Sequence, residues 1–132
     1  ANTITTGSGD DTINGNGGAD IVNAGTGNDT VAYWGTETSI DGGTGTNTLL
    51  LRVSGTVNLA NADQTVGDLT SVTNFQNVDA SALTSATTIT GSAGANTIIG
   101  GAGHDTIDGG GGADTISAGA GKVPGWVMPS TA

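Results

Sequence analysis

The chain has 132 residues, 25 of them Gly, with twelve Asp plus Glu against two Lys plus Arg, a formal net charge of −10, no Cys and 3% aromatics. So few cations argue against nucleic acid and anionic membrane surfaces as partners, because both are held by neutralising phosphates. No disulfide is available as a brace, and no stretch approaches the roughly 18 apolar residues that span a bilayer, so membrane insertion is not expected.

A Gly-rich acidic chain would read as a disordered linker if its apolar residues were scattered. They are periodic instead. Ala1–Thr5 has no charged or apolar run like that of an export leader, and fits the last five places of a nine-residue unit. Thr6–Asn14 (TGSGDDTIN), Gly15–Asn23 (GNGGADIVN) and Ala24–Ala32 (AGTGNDTVA) follow in register. Tyr33–Asp41 is degenerate, and Gly42–Leu50 (GGTGTNTLL) resumes the pattern. Gly dominates places one, two and four, Asp or Asn holds place six, and a β-branched residue or Leu holds place eight. Places seven to nine suit a very short strand whose middle side chain points inward. Places one to six must reverse the chain tightly, which Gly permits.

Leu51–Thr90 leaves the pattern. Leu49–Leu51 with Val53 reads as one buried strand, and Val57 with Leu59 as another. Leu69, Val72, Phe75 and Val78 stand three apart, a spacing open to a short helix or to coils of a wider β-helix. Gly55, Gly67 and the many Thr and Asn favour the second. Gly91–Ile99 (GSAGANTII), Gly100–Asp108 (GGAGHDTID) and Gly109–Ser117 (GGGGADTIS) restore the repeat. In the tail, Val123, Trp126, Val127 and Met128 suit an apolar cap on the last coil, as terminal repeats require.

Seven in-register units follow G-G-x-G-x-D-x-U-x and resemble the RTX (repeats-in-toxin) nonapeptide family. The stretch FQNVDASALTSATTITG is similar to the segments that interrupt such arrays in large bacterial surface proteins. The resemblance implies an all-β fold, a right-handed parallel β-roll or β-helix solenoid, with two units per coil. Units n and n+2 then stack about one strand spacing apart, roughly 4.8 Å. Facing carboxylates and carbonyls suit Ca²⁺, a hard cation taking six to eight oxygens. The candidate metal ligands are Asp11, Asp20, Asp29, Asn47, Asn96, Asp105 and Asp114. Pairing n with n+2 makes Asp11–Asp29 complete and leaves Asp29–Asn47 and Asn96–Asp114 with one carboxylate each. It sets Asp20 against Thr38 and Asp105 against Val123. The organisation expected is an N-terminal roll over residues 1–50, a β-solenoid spacer over 51–90, a C-terminal roll over 91–121 and a tail over 122–132.

The resemblance further implies an extracellular or bacterial cell-surface module, unfolded at low intracellular calcium and folded outside. It would be part of a surface-layer, adhesin or filament protein, with end-to-end self-association as a further expectation. Two other readings stand beside it: the calcium-dependent appendage of a type I secreted toxin, protease or lipase, and an ice-binding adhesin module. The second would need a ladder of G-T-G-N-D turns, and that sequence occurs once, at Gly25–Asp29. No enzyme is expected. His104, the single His, occupies the variable fifth place of a turn, and no nucleophile elbow, zinc-protease motif or complete phosphate loop is present.

Overall fold

The structure, a computed structural model, describes residues 1–120; the expected tail cap lies outside them. Fourteen short strands and no helix occur among the described residues. The N-terminal units give β1 (Thr3–Thr5), β2 (Thr12–Ile13), β3 (Ile21–Asn23), β4 (Thr30–Tyr33), β5 (Ser39–Asp41) and β6 (Thr48–Leu51). The middle gives β7 (Thr56–Asn58), β8 (Thr65–Val66), β9 (Ser71–Thr73), β10 (Asn77–Asp79) and β11 (Thr88–Thr90). The last units give β12 (Thr97–Ile99), β13 (Thr106–Asp108) and β14 (Thr115–Ser117).

Strands from alternate units pair in parallel. Ile4 lies beside Val22 and Val22 beside Ile40 on one face, and Ile13, Val31 and Leu49 follow one another on the other. The second face is one continuous sheet in the order β14-β12-β10-β6-β4-β2. The eighth-place side chains from both faces form the core: Ile13, Val22, Val31, Leu49, Ile98 and Ile107 are all buried. Each contributes about 1.5–3 kcal/mol of apolar burial. Tyr33–Asp41, although degenerate elsewhere, keeps the rule through Ile40, which is fully buried. The turns stack as closely as the strands. Gly25 and Gly43 have φ of +86° and +71°, and a Cβ on Gly43 would lie 1.8 Å from the Gly25 carbonyl oxygen. Only Gly meets both demands.

The spacer differs from a simple continuation of the stack. β7 precedes β9 in the chain, yet β9 pairs with β5 of the N-terminal roll while β7 pairs with β11, which lies beside β13 of the C-terminal roll. The chain therefore steps forward to β7 and turns back through β8, which runs antiparallel to β7. It then fills the place beside β5 before continuing. Gln64 holds this return: its backbone N–H donates to Val72 O at 2.8 Å, and its side-chain Nε2 donates to Leu59 O and Phe75 O. Val72, Phe75 and Val78 are buried as the three-residue spacing suggests, in strands and a turn rather than a helix. Leu69 breaks that series. It is fully exposed at the tip between β8 and β9, where the turn-back carries it off the core.

Candidate metal centre

Every sixth-place residue sits at the entry to its strand, so the repeat places its side chain between consecutive coils. The Oδ1 atoms of Asp20, Asp29, Asn47, Asp105 and Asp114 point one way. Asp29 Oδ1 accepts from Asp11 N at 2.9 Å, Asn47 Oδ1 from Asp29 N at 2.9 Å, and Asp114 Oδ1 from Asn96 N at 3.0 Å, each across 18 residues. The coil pairing expected from the sequence is therefore present for Asp11–Asp29, Asp29–Asn47 and Asn96–Asp114. For Asp20 and Asp105 the carboxylate partner lies behind, not ahead. Asp20 Oδ1 accepts from Asn2 N at 2.7 Å, and only the Asp20 carbonyl reaches Thr38, accepting its N–H at 2.8 Å. Asp105 Oδ1 accepts from Thr87 N and Thr87 Oγ1 at 3.0 and 2.8 Å, and Val123 lies outside the described residues. The polarity follows from the parallel strands, which present the same N–H at every step.

A second ladder runs at place five, which the sequence pattern treated as variable. Asn28 N donates to Asp10 Oδ1 and Thr46 N to Asn28 Oδ1, at 2.8 and 2.9 Å. These oxygens point the opposite way to those at place six. Asp and Asn at place five of alternate units was the available signal.

The second carboxylate oxygens set the chemistry. Oδ2 of Asp11, Asp20, Asp29 and Asp114 is buried with no hydrogen-bond partner. Asp20 and Asp29 are 0% and 1% exposed. A buried carboxylate oxygen without a partner costs several kcal/mol. No cationic side chain relieves it: Arg52, the one Lys or Arg among the described residues, lies over the Trp34 ring at 5.6 Å. First-place Gly shapes the surroundings. A Cβ on Gly15 would stand 2.7 Å from Asp20 Oδ2, and one on Gly109 2.6 Å from Asp114 Oδ2. The donor set is oxygen only, with no cluster of three or more His, Cys, Asp or Glu among the described residues. Most ligands beyond one or two carboxylates must then be backbone carbonyls, a set that fits Ca²⁺ rather than a softer metal.

The remaining candidates are satisfied within the chain. Asn47 Nδ2 donates to Gly42 O at 2.7 Å and Asn74 O at 3.0 Å. Asn96 Nδ2 donates to Gln76 O at 2.6 Å and Ser92 Oγ at 3.2 Å. Asp105 Oδ2 accepts from Gly101 N at 2.9 Å. His104 is exposed. No helix among the described residues is long and apolar enough to cross a membrane.

The profile of the RTX calcium-binding nonapeptide repeat matches in four copies, over residues 1–31 and 88–122. No curated protein and no solved structure matches the chain. The matched segments hold all four partnerless carboxylates and together make up half of the sequence. With four copies of the repeat over half of the sequence, and strands that among the described residues pair in parallel at 18-residue spacing in the repeat units, the chain belongs to the RTX calcium-binding nonapeptide-repeat family.

Proposed function

We propose that this calcium-binding repeat module serves outside the cell, as a structural segment of a bacterial surface-layer, adhesin or filament protein that becomes ordered on meeting external Ca²⁺. The observation that carries the reading is the set of buried, partnerless Oδ2 atoms on Asp11, Asp20, Asp29 and Asp114. Each is a carboxylate oxygen that the fold leaves without a hydrogen-bond donor and that a bound divalent cation would balance; the N-terminal ammonium stands 3.8 Å from Oδ1 of Asp20. A cation that binds only the ordered coils stabilises them by mass action. Low calcium at the site of synthesis would leave those coils open for export, and external calcium would close them. Coil-on-coil stacking would extend the same geometry end to end into neighbouring repeats.

Calcium titration into the chelated chain tests this, with circular dichroism as the readout and bound ions counted. The expected result is a gain of β-signal with saturable uptake of more than one ion. Mg²⁺, which demands near-octahedral geometry and sheds water reluctantly, should act far more weakly. A β-spectrum and melting curve identical in chelator and in calcium would refute the reading.

A further inference from the structure

We propose that the side-chain amides of Asn47 and Asn96 stand in the central coils where calcium stands in the outer ones, so that residues 37–108 keep their fold without metal. The inference rests on the calcium reading of the outer coils and goes beyond it, because it divides one repeat array into metal-dependent and metal-independent parts.

The argument begins from a single atom. Asp and Asn differ at place six only in the second terminal atom, an acceptor in one and a two-proton donor in the other. In the outer coils that atom is Oδ2, and on Asp11, Asp20, Asp29 and Asp114 it has no partner. In Asn47 it is Nδ2, and its two protons go to the carbonyls of Gly42 and Asn74 at 2.7 and 3.0 Å. Gly42 is the first-place Gly of the same unit, and a Cβ there would come within 3.0 Å of Asn47 Nδ2. The equivalent Cβ on Gly15 would meet Asp20 Oδ2 at 2.7 Å. The same pocket at the turn thus holds an oxygen in one coil and an N–H donor in another. A calcium ion gathers converging carbonyl oxygens, and an amide NH₂ gathers them too, at lower charge and with no metal. Asn96 is satisfied without metal in the opposite orientation: its Oδ1 faces the first-place Gly91 and accepts from Ser92 N at 2.8 Å, while its Nδ2 donates to Gln76 O and Ser92 Oγ.

Neighbouring side chains close the remaining gaps. Gln76 Oε1 accepts from Asn47 N at 2.7 Å. Gln64 binds Phe75 through both ends of its amide, accepting from Phe75 N at 2.9 Å and donating to Phe75 O at 2.8 Å. Glu37, buried, takes Trp34 N and Thr36 N on its two oxygens. Asp105 keeps its charge but meets N–H donors on both oxygens, from Thr87 and Gly101. All four partnerless carboxylate atoms lie before residue 37 or after residue 108. Between these limits the apolar core is also fullest: Leu49, Leu51, Val57, Phe75, Val78 and Ile89 are at most 2% exposed. The strand exchange lies wholly within these limits, with β9 beside β5 and β7 beside β11.

Hydrogen–deuterium exchange on the full chain, in chelator and in calcium, tests the division. In chelator, amides of β6 and β10–β12 should exchange on the order of 100-fold more slowly than those of β2–β4. Calcium should then slow β2–β4 and leave the centre nearly unchanged. If every strand exchanges rapidly in chelator and all become protected together in calcium, the proposal is overturned while the calcium reading stands. If no strand responds to calcium, both fall. Asn47→Asp gives an independent arm, because it sets a carboxylate against the Gly42 and Asn74 carbonyls. Its melting temperature should drop in chelator and recover in calcium, with one more ion bound than in the parent; Asn96→Asp should behave alike. Equal melting in the two conditions with no extra ion for either variant would overturn the proposal.

Discussion

The coils carrying Asp11, Asp20 and Asp29 and the coils between Asn47 and Asp105 share a backbone plan. In both, a strand of two to four residues buries at least its eighth-place apolar side chain, a turn reverses the chain, and the sixth-place side chains of Asp20, Asp29, Asn47 and Asp105 accept an N–H from the coil behind. They part at the second atom of that side chain. The outer coils leave it a bare carboxylate oxygen, and the inner ones give it a partner from the chain. One fold thus admits two ways of neutralising a buried polar group, one depending on solvent calcium and one fixed in the sequence. The choice costs one atom per coil and leaves the strand register untouched.

The sharpest way to break this comparison is to remove the carboxylate in each region. Asp29→Ala deletes a candidate calcium ligand and the acceptor for Asp11 N. At calcium about a hundred-fold above Kd it should lose about 3–5 kcal/mol and at least one bound ion. Asp105→Ala strands the Thr87 and Gly101 N–H groups and should destabilise equally in calcium and in chelator, releasing no ion. Denaturant unfolding with ion counting separates the two, and ion loss from Asp105→Ala alone would invert the comparison.

A purely apolar cut should ignore the distinction. Leu49 is fully buried between Val31 and Val78, and Leu49→Ala should cost about 2–4 kcal/mol through transfer and cavity terms. The loss should have the same size in calcium and chelator when read from protection of β6. A loss seen only in chelator would mean that calcium also supports the middle.

A smaller effect should come from turning an outer coil into an inner one. Asp29→Asn replaces a charged oxygen with an amide donor, as at Asn47. It should bind at least one ion fewer yet melt higher than the parent in chelator, by about 1 kcal/mol of stability, because an uncompensated buried charge is removed. A lower melting point than the parent in chelator would show that the turn around Asp29 offers no acceptor to an amide.

The smallest effect concerns the seam between the N-terminal roll and the turned-back segment, where the Tyr33 hydroxyl donates to Asp68. Burial first, then the Asp68 carboxylate, push the Tyr33 hydroxyl well above its ordinary value. The unfolded chain releases this proton near pH 10 and the folded chain holds it longer. The seam's contribution is thus full below about pH 10 and is lost as pH rises beyond it. Melting temperature should fall between about pH 10 and 11 in the parent and stay flatter in Tyr33→Phe; identical profiles would remove Tyr33 from the account.

The period of nine was enough to locate the eighth-place core residues, the 18-residue stacking and the sixth-place ladder, because each is a local rule repeated until neighbours must match. Gly at places one, two and four made the tight turns legible, and one β-branched residue per unit made the thin core legible. Even Tyr33–Asp41, which had lost its Asp, kept Ile40 at the place the period assigns. The tertiary structure alone decided what depends on residues far apart in the chain. Nothing local announces that β9 pairs with β5 ahead of β7, since all three are short Thr- or Ser-led strands with Val or Ile at the centre. Leu69 looked like part of an apolar series and is solvent-facing because the chain turns back just there. The direction of the sixth-place carboxylates required knowing which N–H lies behind each one. The partners of Asn47 and Asn96 sit on Asn74, 27 residues away across the turned-back segment, and on Gln76, 20 residues away across β10 and β11. A repeat fixes contacts at its own spacing; hydrogen bonds made across an interruption of that spacing exist only once the coils have stacked.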